Sequence, residues 1–284
     1  ANCSGLTGVD FASDAALKSI GDSAFSYCEN LRSVVIPAGV ETLGESAFWD
    51  SSLTSVEFAQ GSALKTIGDS AFFNCEKLRS IAIPAGVTEI GEGAFYSCSA
   101  LHSVTIPAGV TEIRKRTFIF CASLTSVEFA ADSALKTIGE KAFYSCKKLE
   151  HIVIPAGVET IGAEAFCDCQ ALMSPDFATG SALKTIGDSA FSDCSQIKQI
   201  VIPASVETIG DAAFNGCCQI EQIVIPASVI NMGERVFYYW GWEKPQRICI
   251  PFAENNLPAG WSADWASAVY DESTVTIVYN YTGN

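Results

Sequence analysis

The stretch that decides the fold reads Ile90-Gly91-Glu92-Gly93-Ala94-Phe95, runs through Cys98 and Leu101, and ends Val104-Thr105-Ile106-Pro107 before Val110. Its pieces return along the chain. Phenylalanine recurs at Phe25, Phe48, Phe72, Phe95, Phe118, Phe143, Phe166, Phe191, Phe214 and Phe237, at spacings of 23 to 25 residues. Five positions before these rings lies an aliphatic residue, as at Ile20, Ile67, Ile113 and Ile209, usually followed by Gly. Three positions after most of them lies a cysteine, and three further on a Leu or Ile. A fixed period of this size marks a solenoid. One repeat cannot bury its own apolar face, so its neighbours must cover it.

Within a repeat, Leu31-Arg32-Ser33-Val34-Val35-Ile36 alternates with a period of two around Val34 and Ile36. That pattern predicts a short strand with one buried face, and Pro37 ends it because proline has no N–H for a ladder. A second short extended piece is expected over 40–43, and Gly44 turns the chain. The Asp or Glu after the glycine, followed by Ser-Ala-Phe, predicts a capped single helical turn. Two linkers, Ile-Pro-Ala-Gly/Ser-Val and Phe-Ala-x-x-Ser-Ala-Leu, alternate irregularly, and the second accounts for the longer spacings. The chain opens inside a repeat, where Leu6, Val9 and Phe11 echo Leu53, Val56 and Phe58. A preceding coil or an atypical cap is therefore expected there. The period stops after Pro251. Residues 1–251 read as the solenoid and 252–284 as a capping segment. Within that segment Trp261, Trp265, Val269 and Tyr270 suggest a helix, and Val275-Thr276-Ile277-Val278-Tyr279 a terminal strand.

The charge balance is acidic, 32 Asp+Glu against 17 Lys+Arg, a net of −15. Nucleic acid, whose phosphates need a basic surface, is not an expected partner. No apolar run approaches the roughly 18 residues of a membrane span, so no membrane insertion of this segment is expected. With two His and twelve Cys, the cysteines are the prominent chemical groups. Most fall in one column: Cys3, Cys28, Cys75, Cys98, Cys121, Cys146, Cys169, Cys194 and Cys217. Stacked side chains pointing the same way do not favour bridges, so the reading favours buried free thiols over disulfides. Zinc is disfavoured by the lack of paired C-x-x-C motifs and the scarcity of His. Cys167, Cys218 and Cys249 lie off the column and are the reactive candidates, with Cys249 expected on an exposed strand face beside Arg247.

An acidic column follows the turn glycine at Asp22, Glu45, Asp69, Glu92, Glu140, Asp188, Asp211 and Glu234. Caps on a solvated flank are favoured over a calcium stripe, because each repeat supplies one carboxylate. Arg114-Lys115-Arg116 interrupts the column, either as a partner contact or as a balance to neighbouring acids. The aromatic group Tyr238, Tyr239, Trp240, Trp242, Trp261 and Trp265 reads as a core plug, with a sugar or protein grip as the alternative. Asn2-Cys3-Ser4 and Asn280-Tyr281-Thr282 match glycosylation acceptors. On the strands, the residues flanking each buried position point out. Val35, Glu57, Thr105, Glu128, His151, Val153, Asp176, Val201 and Val224 are the candidate binding residues of that face, with an ordinary solvated sheet face as the alternative. No catalytic or metal-binding constellation is read, and no cofactor is implied.

The pattern Ile-Gly-x-x-Ala-Phe-x-x-Cys-x-x-Leu-x-x-Val-x-Ile-Pro-x-x-Val, as carried by Ile90 to Val110, resembles the BspA-type (bacterial surface protein A) leucine-rich repeat family over about residues 3–251. The resemblance implies an α/β or mainly β fold. This would be a right-handed leucine-rich repeat solenoid of about ten repeats, with short parallel strands, short helical turns and a C-terminal cap. It also implies a secreted or cell-surface protein that contacts a partner protein, such as a host extracellular or surface protein, and it carries over no catalytic residues. Two functions are therefore expected: an adhesion-type protein-binding module, or a structural spacer within a larger surface protein.

Overall fold

A computed structural model describes residues 2–11, 16–240, 244–266 and 274–283. Among the described residues there are strands of two to four residues and no helix. The chain is a parallel β-solenoid of about ten turns. It divides into two compact units, Ala1–Leu135 with Ala142–Leu149, and Lys136–Lys141 with Glu150–Asn284.

In the first unit, the alternating segments form one parallel sheet from Ser33–Ile36, Ser55–Phe58, Ser80–Ile81, Ser103–Ile106 and Ser126–Phe129. Equivalent residues of adjacent repeats sit side by side, Val34 against Val56 and Val104 against Val127. A second sheet joins Ser19–Ile20, Thr42–Leu43, Thr66–Ile67 and Glu89–Ile90. In the second unit, His151–Ile154 pairs with Ser174–Phe177. Gln222–Val224, Gln246–Cys249 and Val275–Val278 form a further parallel set. Thr137–Ile138 begins a ladder that runs through Thr160–Ile161, Thr185–Ile186, Thr208–Ile209 and Asn231–Met232 to Gly260–Trp261.

The phenylalanine column is a file of stacked rings in each unit. Phe25, Phe48, Phe72, Phe95, Phe118 and Phe143 follow one another at 5.2–5.4 Å, with planes within 13° of parallel. Phe166, Phe191, Phe214 and Phe237 do the same at 5.3–6.1 Å. Each fully buried ring contributes roughly 1.5–3 kcal/mol. Phe237 meets Trp240 and Trp265 edge-on at 4.8 and 6.0 Å, and Trp261 packs on Trp265 at 5.2 Å. All three indoles are buried, so these members of the aromatic group pack against the ring file. Tyr239 is 44% exposed. Trp242, Val269 and Tyr270 lie outside the described residues. Trp261 ends a strand and Trp265 lies in a turn, so the expected helix is not seen over the described part of its span. The terminal strand is Val275–Val278.

The helical turn expected before each phenylalanine is replaced by another device. Ser23, Ser46, Ser70 and Ser189 have φ of 51–56°, and Tyr27, Asp50 and Asn74 are also left-handed at 53–57°. A left-handed residue costs roughly 1–2 kcal/mol and cannot continue a right-handed helix. What it provides is direction. The amides of Ser23, Phe25 and Tyr27 point to the next coil and donate to the carbonyls of Glu45, Ala47 and Trp49 at 2.7–2.8 Å. The amides between them close short turns, Ala24 to Gly21 and Ser26 to Ser23. Buried backbone is thus satisfied between coils rather than within one.

The glycine column follows from how closely those coils approach. A Cβ on Gly68 would lie 2.7 Å from the Gly44 carbonyl carbon, and one on Gly187 the same distance from the Ala163 nitrogen. Gly21, in the same column, has nothing within 4 Å.

The cysteine column has a role that the sequence reading missed. The thiols of Cys75, Cys98, Cys121, Cys146, Cys194 and Cys217 donate to the carbonyl of the phenylalanine one coil back, at 3.0–3.2 Å. Trp240, standing in this column, makes the same bond through its indole Nε1 to Phe214 at 2.8 Å. None of the twelve cysteines forms a disulfide. Cys3, counted with the column, is exposed, Cys167 is buried, and Cys218 is half-exposed. Cys249 is not on an exposed face: level with Val224 and Val278 of its two flanking strands, it is fully buried. Burial raises the Cys249 thiol above its ordinary value, against the pull of Arg247. Burial pushes Cys75 and Cys121 from 9.0 up to about 12.

Gly68→Ala and Gly187→Ala will destabilise the fold by about 1–3 kcal/mol through overpacking. Gly21→Ala will stay within about 0.5 kcal/mol of the parent. Urea unfolding followed by circular dichroism reads the difference. A thiol reagent will titrate Cys3 and Cys218 in the native protein and all twelve cysteines in denaturant. The folded state holds its thiol protons to higher pH than the unfolded chain. Stability from the buried cysteines is therefore complete below pH 9 and is lost as pH rises toward 12. Thermal melts across pH 7–11 measure that loss.

Candidate binding face

The strand alternation leaves one row of each sheet pointing outward. In the first unit this row holds Val35, Glu57, Thr105 and Glu128, all exposed. Register places Val35 beside Glu57, and Thr105 beside Glu128 with Oγ1 and Oε2 3.5 Å apart. In the second unit the row holds His151, Val153, Asp176, Val201 and Val224, also exposed. Val153 lies beside Asp176, whose Oδ1 accepts a 2.8 Å bond from Ser174. The valines are 40–68% exposed. β-Branched side chains interleaved with carboxylates make a surface that is apolar between its charges.

Two clefts open on this face in the second unit, of about 490 and 480 Å³, and Val201 lines both. The first also takes in Lys198, Glu221 and Val224, and the second Asp176, Phe177 and Pro203.

The acidic column is occupied with structure. Oδ1 of Asp22, Asp69, Asp188 and Asp211 accepts the backbone N–H of the acidic residue one coil on, at 2.7–2.9 Å. These aspartates cap the neighbouring coil. Arg114, in the glycine column, reaches Glu89 at 2.7 Å and Asp69 at 3.9 Å, which balances local acids. Along another edge, Lys18, Lys136 and Lys184 pair with Glu41, Glu159 and Glu207 of the next coil at 2.6–2.9 Å. The hydrogen bond from Lys18, helped by its charge, holds the Glu41 carboxyl below its ordinary value.

A second aromatic file in the first unit went unread in the sequence. Trp49, Phe73 and Tyr96 stack at 4.1 and 4.3 Å, and Phe120 meets Tyr96 and Tyr144 edge-on at 5.7 Å. Its signal was an aromatic residue one or two positions after the column phenylalanine. The rings of Trp49, Phe73 and Tyr96 use their faces on one another and are half-buried.

Comparison with known proteins bears on this architecture. The model of the BspA type leucine rich repeat region matches residues 1–125 and 111–242. A leucine-rich repeat protein from Bacteroides ovatus is similar in fold, with TM-score 0.65 and 23% identity over 98% of this chain and 79% of that one. The T. pallidum leucine rich repeat protein aligns at TM-score 0.55 and 27% identity over 71% of this chain and 82% of that one. A leucine rich cell surface protein from Faecalibacterium prausnitzii aligns at TM-score 0.46 and 26% identity, over 94% and 84% of the two chains. No curated protein matches the sequence significantly. With both units carrying the repeat and the family pattern spanning most of its length, this chain belongs to the BspA-type leucine-rich repeat family.

Proposed function

We infer that this chain is a secreted or cell-surface binding module that holds a protein partner on the outward row of its strands, without catalysis. The observation that carries the reading is the row itself. Four valines, Val35, Val153, Val201 and Val224, stay 40–68% exposed. Carboxylates Glu57, Glu128 and Asp176 stand in the same rows. An exposed apolar surface of this kind gains free energy when covered, and the carboxylates select a partner with basic groups. Membership of a repeat family named for a bacterial surface protein supports the surface location, and a host extracellular or surface protein is the partner class that follows. We read residues 252–284 as the segment that covers the last coils. The indole of Trp261 donates to the Val229 carbonyl at 3.0 Å, and the Trp265 carbonyl accepts from Val236 at 3.0 Å.

The triple variant Glu57→Lys, Glu128→Lys, Asp176→Lys will keep its circular dichroism spectrum. It will lose at least tenfold in affinity for immobilised extracellular-matrix protein by surface plasmon resonance. Unchanged retention would remove the outward row as the binding surface and leave the spacer reading in its place.

A further inference from the structure

The coil from Ile113 to Phe129 departs from the coils before it at the turn that leads to its phenylalanine. The glycine column reads Gly21, Gly44, Gly68 and Gly91, and then Arg114. The column just before the phenylalanines reads Ala24, Ala47, Ala71 and Ala94, and then Thr117. Both replacements add bulk where the coils approach most closely. A Cβ on Gly44, Gly68 or Gly91 would lie 2.4–2.7 Å from atoms of the preceding coil. Arg114 brings a Cβ and a long side chain to that position.

The backbone ladder breaks at this point. The amides of Gly44, Gly68 and Gly91 donate to Ile20, Leu43 and Ile67 one coil back, at 2.8–2.9 Å. Three residues earlier, the amides of Glu41, Lys65 and Thr88 donate to Lys18, Glu41 and Lys65 at 2.8–3.0 Å. Among the described residues, no backbone bond joins 111–114 to 87–90. The ladder that runs from Ser19–Ile20 to Glu89–Ile90 does not continue to Glu112–Ile113.

The other sides of the same junction stay closed. Ser103–Ile106 pairs with Ser126–Phe129 over four residues. The amides of Phe95 and Ser97 donate to Thr117 and Ile119 at 2.9 Å, and Phe95 stacks on Phe118 at 5.2 Å. These two coils are therefore fastened along the strands and along the phenylalanine turn, and unfastened along the glycine edge.

Two side chains occupy the unfastened edge. Thr117 is fully buried, and its hydroxyl donates to the Arg114 carbonyl at 2.7 Å. The Arg114 guanidinium reaches back across the junction to Glu89 at 2.7 Å, with Asp69 at 3.9 Å. The side chains of Arg114 and Glu89 are 42% and 44% exposed. An ion pair in reach of solvent is weak and is screened by salt, unlike the backbone bonds whose place it takes.

We propose that this junction is a hinge. It opens and closes along the glycine edge and pivots on the ladder between Ser103–Ile106 and Ser126–Phe129, with the Arg114–Glu89 pair as a salt-sensitive strap. Hinges are a few turn positions that absorb backbone change, and a segment with fewer backbone bonds opens at lower cost than its surroundings. The pivot carries Thr105 and Glu128 of the outward row, so opening changes the curvature of that row in the first unit. The hinge goes beyond the binding reading and does not depend on it.

The test places ketone-bearing residues at the exposed Thr88 and Thr111, couples spin labels to them without touching the cysteines, and reads the spread of distances across the edge. The parent will show a broad distribution that widens at about 1 M salt, where the screening length falls to about 3 Å. Glu89→Gln will widen it at low salt. Arg114→Gly with Thr117→Ala, which restores the column residues, will narrow it and abolish the salt response. Amide hydrogen exchange on the unlabelled chain gives a second readout. Amides 111 and 114 will exchange at least tenfold faster than those of Gly68 and Gly91 in the parent, and as slowly as those in the double variant. A parent distribution that is narrow and indifferent to salt and to Glu89→Gln would overturn the hinge. So would amides 111 and 114 as protected as Gly68, or a double variant that folds and changes neither readout. The parent and Glu89→Gln measurements decide the matter by themselves if the double variant does not fold.

Discussion

The structure depends on the distance between successive coils. Amide-to-carbonyl bonds hold neighbouring strands near 4.7–4.9 Å apart, and every apolar column is buried only because another coil lies at that separation. Phe72 has no core of its own repeat to enter. It is covered by Phe48 on one side and Phe95 on the other, each 5.3 Å away. The glycine column is the steric counterpart. At this spacing the backbone before Gly68 passes so near Gly44 that a methyl group would overlap it. Close approach and ring stacking are two consequences of one constraint.

The same constraint explains the polar chemistry of the interior. Carbonyls that a helix would satisfy along its own axis here face the adjoining coil. Left-handed serines turn the amides outward along the stack, thiols cap the phenylalanine carbonyls, and Asp69 caps the amide of Glu92. Cysteine suits its column because it is small, tolerates burial and still carries a weak donor. Where the column carries tryptophan instead, the indole nitrogen of Trp240 takes over that donation. These thiols are parts of the scaffold, and burial holds them in the protonated form.

With the inward residues committed to stacking, the outward ones are left for recognition. Val35 and Glu57 can differ between neighbouring repeats because neither is needed to close the coil. The lysine–glutamate pairs along another edge balance charge locally. The strand rows keep Glu57 beside Val35 and Asp176 beside Val153.

The amino-acid order alone determined the period, the ring and glycine columns, and the strands ended by proline. It also determined which side chain of most alternating pairs faces out, as with Val34 and Val35. All of these follow from spacing within one repeat. Other features belong to the relation between repeats, and tertiary structure decided them. Ser-Ala-Phe reads locally as a helical turn, yet the hydrogen bonds on offer from the next coil draw its serine into the left-handed region. Cys249 alternates as an outward residue, but the fully folded set of three strands buries it. Trp49, Phe73 and Tyr96 lie more than twenty residues apart and become a stack only when coils align. Residues 199–202 share their text with a paired strand and remain unpaired, because a ladder requires two edges at bonding distance and a single repeat specifies only one.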